Sequence, residues 1–200
     1  MKYNPDIHHR RSSRLKEYDY SQIGAYFITI CIYNKRCLLG KVKNGKIELN
    51  IAGQIIKKWW LELPHKFPNI KIDEYIVMPN HLHGIISIVK TNVGADPCVC
   101  PNNKGEHIGS PLQKIIQWFK TMTTNEYIRR VKHDGLPPFH GKFWQRNYYE
   151  HIIRNEDELN KIREYIQNNP LKWNLDRENP ERVGQDLLED EIFKRTKGIQ

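Results

Sequence analysis

The 200-residue sequence lacks the features of several protein classes. It has no long apolar run, and residues 1–6 carry no signal-peptide pattern, so we expect a cytoplasmic protein that spans no membrane. The four cysteines are too few and too scattered for a disulfide scaffold. Cys98 and Cys100 have no second Cys/His pair at zinc spacing, so we expect four reduced thiols. The chain has no evident helicase motif.

Positive charge is in excess. The chain has 32 Lys and Arg against 23 Asp and Glu, a formal net charge of +9. This excess favours a polyanionic partner, because basic side chains steer and neutralise phosphates. Residues 1–20 are predicted to be a basic arm or, alternatively, a solvated tail. Its candidate DNA-binding residues are Arg10, Arg11, Arg14 and Lys16.

Two histidines open a predicted strand. Runs rich in β-branched and apolar residues flank Pro79-Asn80 within residues 75–88, which predicts two strands joined by a turn. Residues two apart in a strand share a face, so His81 and His83 point the same way and Leu82 points the opposite way. Such a pair is half of a metal site, since neutral imidazole binds divalent metals. Two hydrogen-bonded structural histidines would have the same spacing.

The residues before this pair predict a strand, a hairpin and a helix. Residues 26–33 are apolar on both faces, as in a central strand. Asn44-Gly45 separates two short strands within 37–49 and is a strong hairpin signal. From Asn50, a candidate cap, apolar residues recur at helical spacing until Pro64, which is expected to end the helix. We expect this helix to cover one face of the sheet.

A second helix and a returning strand follow an irregular segment. Residues 91–109 lack periodicity and are interpreted as a flexible insert. Ser110, Pro111 and Gln113 then form a capping signature for the helix. Part of 143–154 is expected to return to the sheet. The basic residues on the exposed side and end of the helix face either solvent or DNA, and the candidates are Lys114, Lys120, Arg129 and Arg130.

The next predicted helix carries a tyrosine and an amide. Asn155 is expected to cap it, with Glu158 at the reciprocal capping position, and Pro170 to stop it. Tyr165 and Asn169 are four residues apart, so they are neighbours beside the buried stripe. They would project together toward whatever the helix packs on. A core-edge tyrosine and a helix C-cap are the structural alternatives.

Together these motifs resemble the single-tyrosine HUH transposases, specifically the REP-associated tyrosine transposases. The resemblance spans about residues 10–173 and depends on ordered motifs within residues 11–16, 24–31, 75–83, 143–145, 149–154 and 165–170. Membership implies an α+β fold with a ferredoxin-like, RRM-like antiparallel sheet, helices packed on it and a catalytic tyrosine helix. The implied transposase domain covers 21–173 and is followed by a C-terminal extension, 174–200.

The resemblance implies that Tyr165 attacks a phosphodiester of single-stranded DNA, leaving a 5′-phosphotyrosine and a free 3′-hydroxyl. Another 3′-hydroxyl can then attack this intermediate and rejoin the strand. Tyr148 and Tyr149 are the competing nucleophiles. A phenol with a pKa of about 10 is a weak nucleophile at neutral pH, so it needs a metal or a base. Glu150 and His151 are the candidate supporting residues.

The resemblance also implies a metal site, with His81, His83 and Asn169 as ligands where related branches have Gln at the third position. Two imidazoles, an amide oxygen and a substrate phosphate suit Mg²⁺ or Mn²⁺, whereas zinc more typically has a fourth protein ligand. A hard cation acts as a Lewis acid on the phosphate. The implied targets are single-stranded DNA hairpins, with the backbone held by Lys and Arg and the bases stacked or splayed.

Two other functions fit the same sequence. A basic ferredoxin-like domain can bind single-stranded nucleic acid without cutting it, with structural histidines. A replication-initiator or relaxase nickase of the wider HUH group is the second, although such proteins usually carry larger accompanying domains. A homodimer is compatible with either chemistry.

Within the extension, apolar residues at 187, 188, 192 and 193 have helical spacing and predict a helix. This helix either packs on the domain or forms a surface appendage.

Overall fold

The computed structural model describes residues 23–90 and 111–194. The predicted basic arm, with its four candidate DNA-binding residues, the insert at 91–109 and the candidate cap Ser110 lie outside the described residues. In chain order the elements are β1 (Gly24–Cys31), β2 (Gly40–Lys43), β3 (Lys46–Leu49), α1 (Ile51–Leu61), α2 (Leu63–Lys66), β4 (Ile70–Val77), β5 (His81–Ile88), α3 (Pro111–Asp134), β6 (Tyr149–Ile153), α4 (Glu156–Asn168) and α5 (Leu187–Lys194).

Four strands form one antiparallel sheet in the order β4-β5-β1-β6. The apolar strand β1 is central, as predicted. Helix α1 lies between β1 and β4 in the chain, and α3 lies between β5 and β6. This gives two interleaved split βαβ units, the ferredoxin-like arrangement. The predicted fold class is confirmed.

Alternation along the strands divides the core into two layers. Tyr26, Ile28 and Leu82 pack in the layer with α1 and α3. Phe27 and Ile85 pack in the other layer, with α4 and α5. His81 and His83 belong to this second face by register, and Leu82 points away from them, as the strand pattern predicted.

Local signals explain most element boundaries. Asn44 and Gly45 have φ values of 52° and 69°, as the predicted two-residue hairpin turn requires, and this hairpin forms a separate two-stranded sheet. The Asn50 side chain accepts a hydrogen bond from Gly53 N at 3.0 Å and caps α1. The prediction that Pro64 ends α1 was wrong, because the helix ends at Leu61. Pro64 lies in the first turn of α2, where a backbone N–H would have no intrahelical acceptor, so proline is tolerated there.

The remaining helices follow their apolar stripes. In α3 an apolar stripe is buried at Leu112, Ile115, Ile116 and Phe119. The Asn155 side chain accepts a hydrogen bond from Glu158 N at 2.9 Å and caps α4, as predicted. The predicted helix in the extension is α5, and it packs on the α4 layer through Ile192 and Phe193. Across residues 23–90 and 111–194, no helix combines the length and apolar character needed to cross a membrane.

Candidate active site

The two histidines lie side by side, fully buried, at the start of β5. Their ring centroids are 4.3 Å apart. Each ring has its Nδ1 beside a side-chain oxygen: His81 Nδ1 is 2.8 Å from Asn80 Oδ1, and His83 Nδ1 is 2.9 Å from Thr29 Oγ1. Such partners fix the ring orientation and leave Nε2 as the atom available to a metal.

Asn80 holds the His81 ring and also joins two backbone segments. Its Nδ2 donates to Lys35 O at 3.0 Å and to Glu178 O at 2.7 Å, while its Oδ1 faces His81. This fully buried amide therefore ties the turn before β5 to the segment that follows α4. The sequence suggested only a turn residue here.

Tyr165 reaches the histidines from α4. Its hydroxyl lies 3.1 Å from His83 Nε2, within the same chain, and its ring meets the Phe27 ring edge-on at 6.0 Å between centroids. Arg163, on the same helix, donates from Nη2 and Nε to the two carboxylate oxygens of Asp73 on β4, at 2.6 and 3.0 Å. This bidentate pair helps to hold α4 against the sheet and so positions the tyrosine.

Asp176 is a member of the cluster that the sequence did not suggest. Its Oδ2 lies 3.7 Å from His81 Nε2 and 3.9 Å from His83 Nε2. The ligand atoms of the three side chains all lie within 4.8 Å of one another. Asn169, at the C-cap of α4, joins them because its Nδ2 donates to Asp176 Oδ2 at 2.8 Å.

The donor set fits a divalent cation. His81 Nε2 and Asn169 Oδ1 are buried without any hydrogen-bond partner in the described structure. An unpaired buried polar atom costs about 1–3 kcal/mol, and a cation coordinated by both atoms would remove that cost. The possible metal ligands of the cluster are two imidazole nitrogens, a carboxylate oxygen and an amide oxygen.

Burial controls the protonation of this cluster. Burial lowers the pKa of His81 to about 3, against the opposing charge of Asp176, so the ring is neutral and competent to bind metal. Burial alone would raise the pKa of Asp176, but His81, His83 and Asn169 outweigh it and hold the pKa well below its usual range. Burial and the nearby carboxylates raise the pKa of Tyr165 well above that of a free phenol.

Comparison with known proteins identifies the family of this chain. The model of the IS200-like transposases matches residues 107–169. An uncharacterized protein from Haemophilus influenzae is 44% identical over 181 residues, which cover 88% of this chain and 96% of the relative. The chain belongs to the IS200-like transposase family. The predicted resemblance to single-tyrosine transposases is thereby confirmed.

The fold of this transposase also has a solved counterpart. The structure of a REP-associated tyrosine transposase bound to a REP hairpin superposes with a TM-score of 0.52. The match covers 81% of this chain and 74% of that chain, at 22% sequence identity, and it shows that the two proteins share a fold.

The C-terminal extension of the transposase contributes Glu189 to the site. This carboxylate is 1% exposed, and its Oε1 accepts a hydrogen bond from the Tyr165 hydroxyl at 3.2 Å and from Arg177 N at 2.9 Å. Burial raises the pKa of Glu189, and the charge of Asp176 adds to the shift. Tyr165 is only 3% exposed. Since Glu189 belongs to α5 and contacts the Tyr165 hydroxyl, α5 covers the group that the family resemblance assigns as nucleophile.

The two candidate supporting residues lie elsewhere. Glu150 pairs with Ile28 in the register and therefore points to the α1 and α3 layer, away from Tyr165. His151 lies on the Tyr165 face, but its Nε2 is 2.9 Å from Glu158 Oε1 at the start of α4. The structure therefore brings neither side chain to the Tyr165 hydroxyl, because the strand register directs one away and the helix start engages the other.

The competing tyrosines are also separated from the metal-type cluster. Tyr148 lies under the Lys120 ammonium, 5.6 Å from the ring centroid, on the α3 side. Tyr149 shares the face of Tyr165, but its hydroxyl donates to Ile192 O at 3.4 Å. Of the three tyrosines, Tyr165 has its hydroxyl beside a histidine of the pair.

The predicted basic residues of α3 have different surroundings. Lys114 and Arg129 are exposed, and Arg130 pairs with Asp134. Lys120 is only partly exposed, and its ammonium donates to the backbone carbonyls of the loop before β6. DNA binding by these four residues stays a prediction.

Proposed function

We propose that this transposase cleaves and rejoins single-stranded DNA at hairpin-forming repeats, with Tyr165 as nucleophile. One observation carries the proposal: the Tyr165 hydroxyl lies 3.1 Å from His83 Nε2, beside a buried cluster of metal-type ligands. Metal-assisted nucleophilic cleavage of a phosphodiester combines an oxygen nucleophile with a bound cation in this way. Family membership and the shared fold with a hairpin-bound relative support the choice of target.

The proposed cofactor is Mg²⁺ or Mn²⁺, held by His81, His83 and Asp176. The predicted ligand Asn169 stays in the proposal, because its unpaired Oδ1 belongs to the same amide that contacts Asp176. When bound, the cation would supply Lewis-acid stabilisation of the phosphate.

The chain's own residues perform the other parts of the proposed reaction. Thr29 and Asn80 hold the two imidazoles in place, and α4 presents the phenol from the opposite side. The Tyr165 oxygen bonds to phosphorus as the bond to the 3′ oxygen breaks, giving a 5′-phosphotyrosine and a 3′-hydroxyl. A later 3′-hydroxyl reverses these steps and releases Tyr165.

The test uses a labelled single-stranded hairpin taken from the flanks of the gene. Protein, hairpin and Mg²⁺ or Mn²⁺ are incubated with and without EDTA and resolved on a denaturing gel. We expect a metal-dependent covalent protein–DNA product for the wild type and none for Tyr165→Phe. Tyr149→Phe is the matched control, since it removes a hydroxyl from the same face of the sheet and should keep the product.

Two results would contradict the proposal. A covalent product that persists in Tyr165→Phe would show that the nucleophile is another residue. Tight hairpin binding without a covalent product, on any flanking hairpin and with either metal, would favour a non-catalytic binding domain.

A further inference from the structure

Asn80 lies where the two parts of the chain that form the candidate site meet. It immediately precedes His81, and it is fully buried. Its amide hydrogen-bonds to the His81 ring, to the backbone carbonyl of Lys35 and to the backbone carbonyl of Glu178. These contacts determine two further properties of the site, the position of a proton and the position of a carboxylate.

The amide of Asn80 can have only one orientation. Backbone carbonyls accept hydrogen bonds and cannot donate them, so the Nδ2 group must face Lys35 O and Glu178 O, at 3.0 and 2.7 Å. The acceptor Oδ1 then faces His81 Nδ1 at 2.8 Å. A metal-binding imidazole is neutral and has one N–H, which must therefore lie on Nδ1. The lone pair is left on Nε2, the atom that lies 3.7 Å from Asp176 Oδ2.

Without Asn80 the opposite tautomer of His81 would be favoured. A proton on His81 Nε2 would lie on the side of the Asp176 carboxylate, and electrostatic attraction favours that arrangement. A protonated Nε2 has no lone pair to offer a metal. The Thr29 hydroxyl beside His83 Nδ1 imposes no such choice, because a hydroxyl can donate or accept. The amide of Asn80 thus keeps free the atom that the proposed cation needs.

The same amide holds the segment that carries Asp176. Its hydrogen bond to Glu178 O fixes the residue whose N–H donates to Asp176 Oδ1 at 2.6 Å. The other carboxylate oxygen, Oδ2, is thereby directed at the two imidazoles. Lys35 supplies a second attachment, because its ammonium donates to Arg177 O at 2.9 Å. The segment 176–178 is therefore fixed at two points beside the histidines.

The backbone at Lys35 is strained where it makes these contacts. Lys35 has a φ of 52° and the preceding Asn34 has a φ of 57°, in the left-handed region that residues with a Cβ rarely adopt. In this conformation Lys35 O accepts from Asn80, and Lys35 Nζ reaches Arg177 O. Strain of this kind persists only where the surrounding contacts impose it, and it concentrates at functional sites.

We propose that Asn80 is a positioning residue that assembles the metal site from both halves of the chain. It holds His81 in the tautomer with a free Nε2 and, through Glu178, holds Asp176 opposite that atom. The inference rests on the proposed function for its cation. It goes further because it makes the contributions of Asn80 and Asp176 to metal binding interdependent.

Nitrogen-15 NMR of the protein in EDTA tests the tautomer without a metal. In protein with labelled histidine, His81 should have a protonated Nδ1 and an unprotonated Nε2. Asn80→Ala should move the proton to Nε2 in a large fraction of the molecules. Asn80→Asp, which keeps an acceptor oxygen for the ring, should leave the proton on Nδ1. A wild-type His81 with its proton on Nε2 would overturn the proposal, and that measurement requires no variant to fold.

Calorimetry with Mn²⁺ tests the link to Asp176 in a double-mutant cycle. Asn80→Ala and Asp176→Asn should each weaken Mn²⁺ binding by about 10- to 100-fold. The double variant should bind little more weakly than the weaker-binding single variant, because both effects of Asn80 depend on the carboxylate at 176. Asn80→Asp should also bind Mn²⁺ more weakly, although its added negative charge would by itself attract the cation. Effects that multiply in the double variant would overturn the proposed coupling.

Asn50→Ala is the matched control for loss of a bridging amide. Asn50 also joins two segments, since its Nδ2 donates to Leu38 O and its Oδ1 accepts from Gly53 N, each at 3.0 Å, but it lies outside the site. This variant should lower the urea midpoint and leave Mn²⁺ affinity and the His81 tautomer unchanged. An equal loss of Mn²⁺ affinity in Asn50→Ala and Asn80→Ala would show that Asn80 acts only through general stability.

The outcomes separate this inference from the proposed function. If Asn80→Ala binds Mn²⁺ as tightly as the wild type, and the wild type forms the covalent hairpin product, the inference fails and the proposed function stands. If the wild type binds neither Mn²⁺ nor Mg²⁺, the proposed cofactor fails together with the inference.

Discussion

Gly84 → Ala is expected to destabilise the protein, because Gly84 lies against Trp60. A methyl group added at residue 84 would lie 2.3 Å from Trp60 Cζ2 and 3.0 Å from Cε2. Carbon atoms in contact normally lie about 3.5–4.0 Å apart, so the indole would have to move by more than about 1 Å. Trp60 is fully buried and meets the Phe119 ring edge-on at 5.5 Å, which blocks such a movement.

The expected magnitude follows from two opposing effects. Alanine is favoured over glycine inside a strand by about 0.5–1 kcal/mol. Overpacking of a closed core costs about 1–3 kcal/mol and occasionally more. The clash is severe and involves a ring without free space, so we expect a net loss of about 1–2 kcal/mol in the free energy of unfolding.

Urea denaturation measures this loss, and the same sheet offers a control. Gly24→Ala adds a methyl group whose nearest neighbours are 3.8 Å away, an ordinary contact, so it should leave the midpoint unchanged or raise it. Combining Gly84→Ala with Trp60→Phe removes the clashing ring edge and should recover about 1 kcal/mol in a double-mutant cycle. If Gly84→Ala were as stable as Gly24→Ala, the packing argument would be refuted. Because Gly84 follows His83, the destabilised variant should also bind Mn²⁺ more weakly.

Three further predictions follow from the site and the core. Asp176→Asn should weaken Mn²⁺ binding by at least about 10-fold in calorimetry, whereas Glu178→Gln should change it little. Glu189→Ala should raise the initial rate of hairpin cleavage by releasing the tyrosine hydroxyl, and a large fall in rate would instead indicate that Glu189 is a base. Glu126→Gln should cost about 1.5–3 kcal/mol at pH 7, because burial would raise the pKa of Glu126 but hydrogen bonds from Lys58 and Trp59 lower it. This contribution is complete above the unfolded pKa of 4.5 and is lost as pH falls through the lower folded pKa, so urea titrations should converge in acid.

The parts of the site that were predictable from the sequence are those that local patterns determine. The two-residue period of a strand places His81 and His83 on one face, and helical spacing places Tyr165 beside the buried stripe of α4. Asp176 and Glu189 were missed because their approach depends on how residues 169–186 turn back over the sheet. That path is set by long-range contacts, including the hydrogen bond from Asn80 to Glu178 O, and no short-range pattern encodes it.

The basic residues also show what the sequence alone cannot predict. Composition indicated a polyanionic partner, but only the fold shows that Lys120 is bound to loop carbonyls while Lys114 remains exposed. Charge is a property of the residue type, whereas access to a phosphate depends on neighbours that are distant in the sequence. The cytoplasmic location and the homodimer suggested by the sequence stay predictions.

The position of Asp176 along the chain sets when the site can form. Both histidines are made in the first half of the chain, whereas the carboxylate between them and the helix that covers the tyrosine are made near residue 200. A ribosome that has not yet translated residue 176 therefore carries a histidine pair without its acidic partner. The proposed metal site is therefore complete only after residue 176 has been translated, and the cover over Tyr165 follows later, with α5.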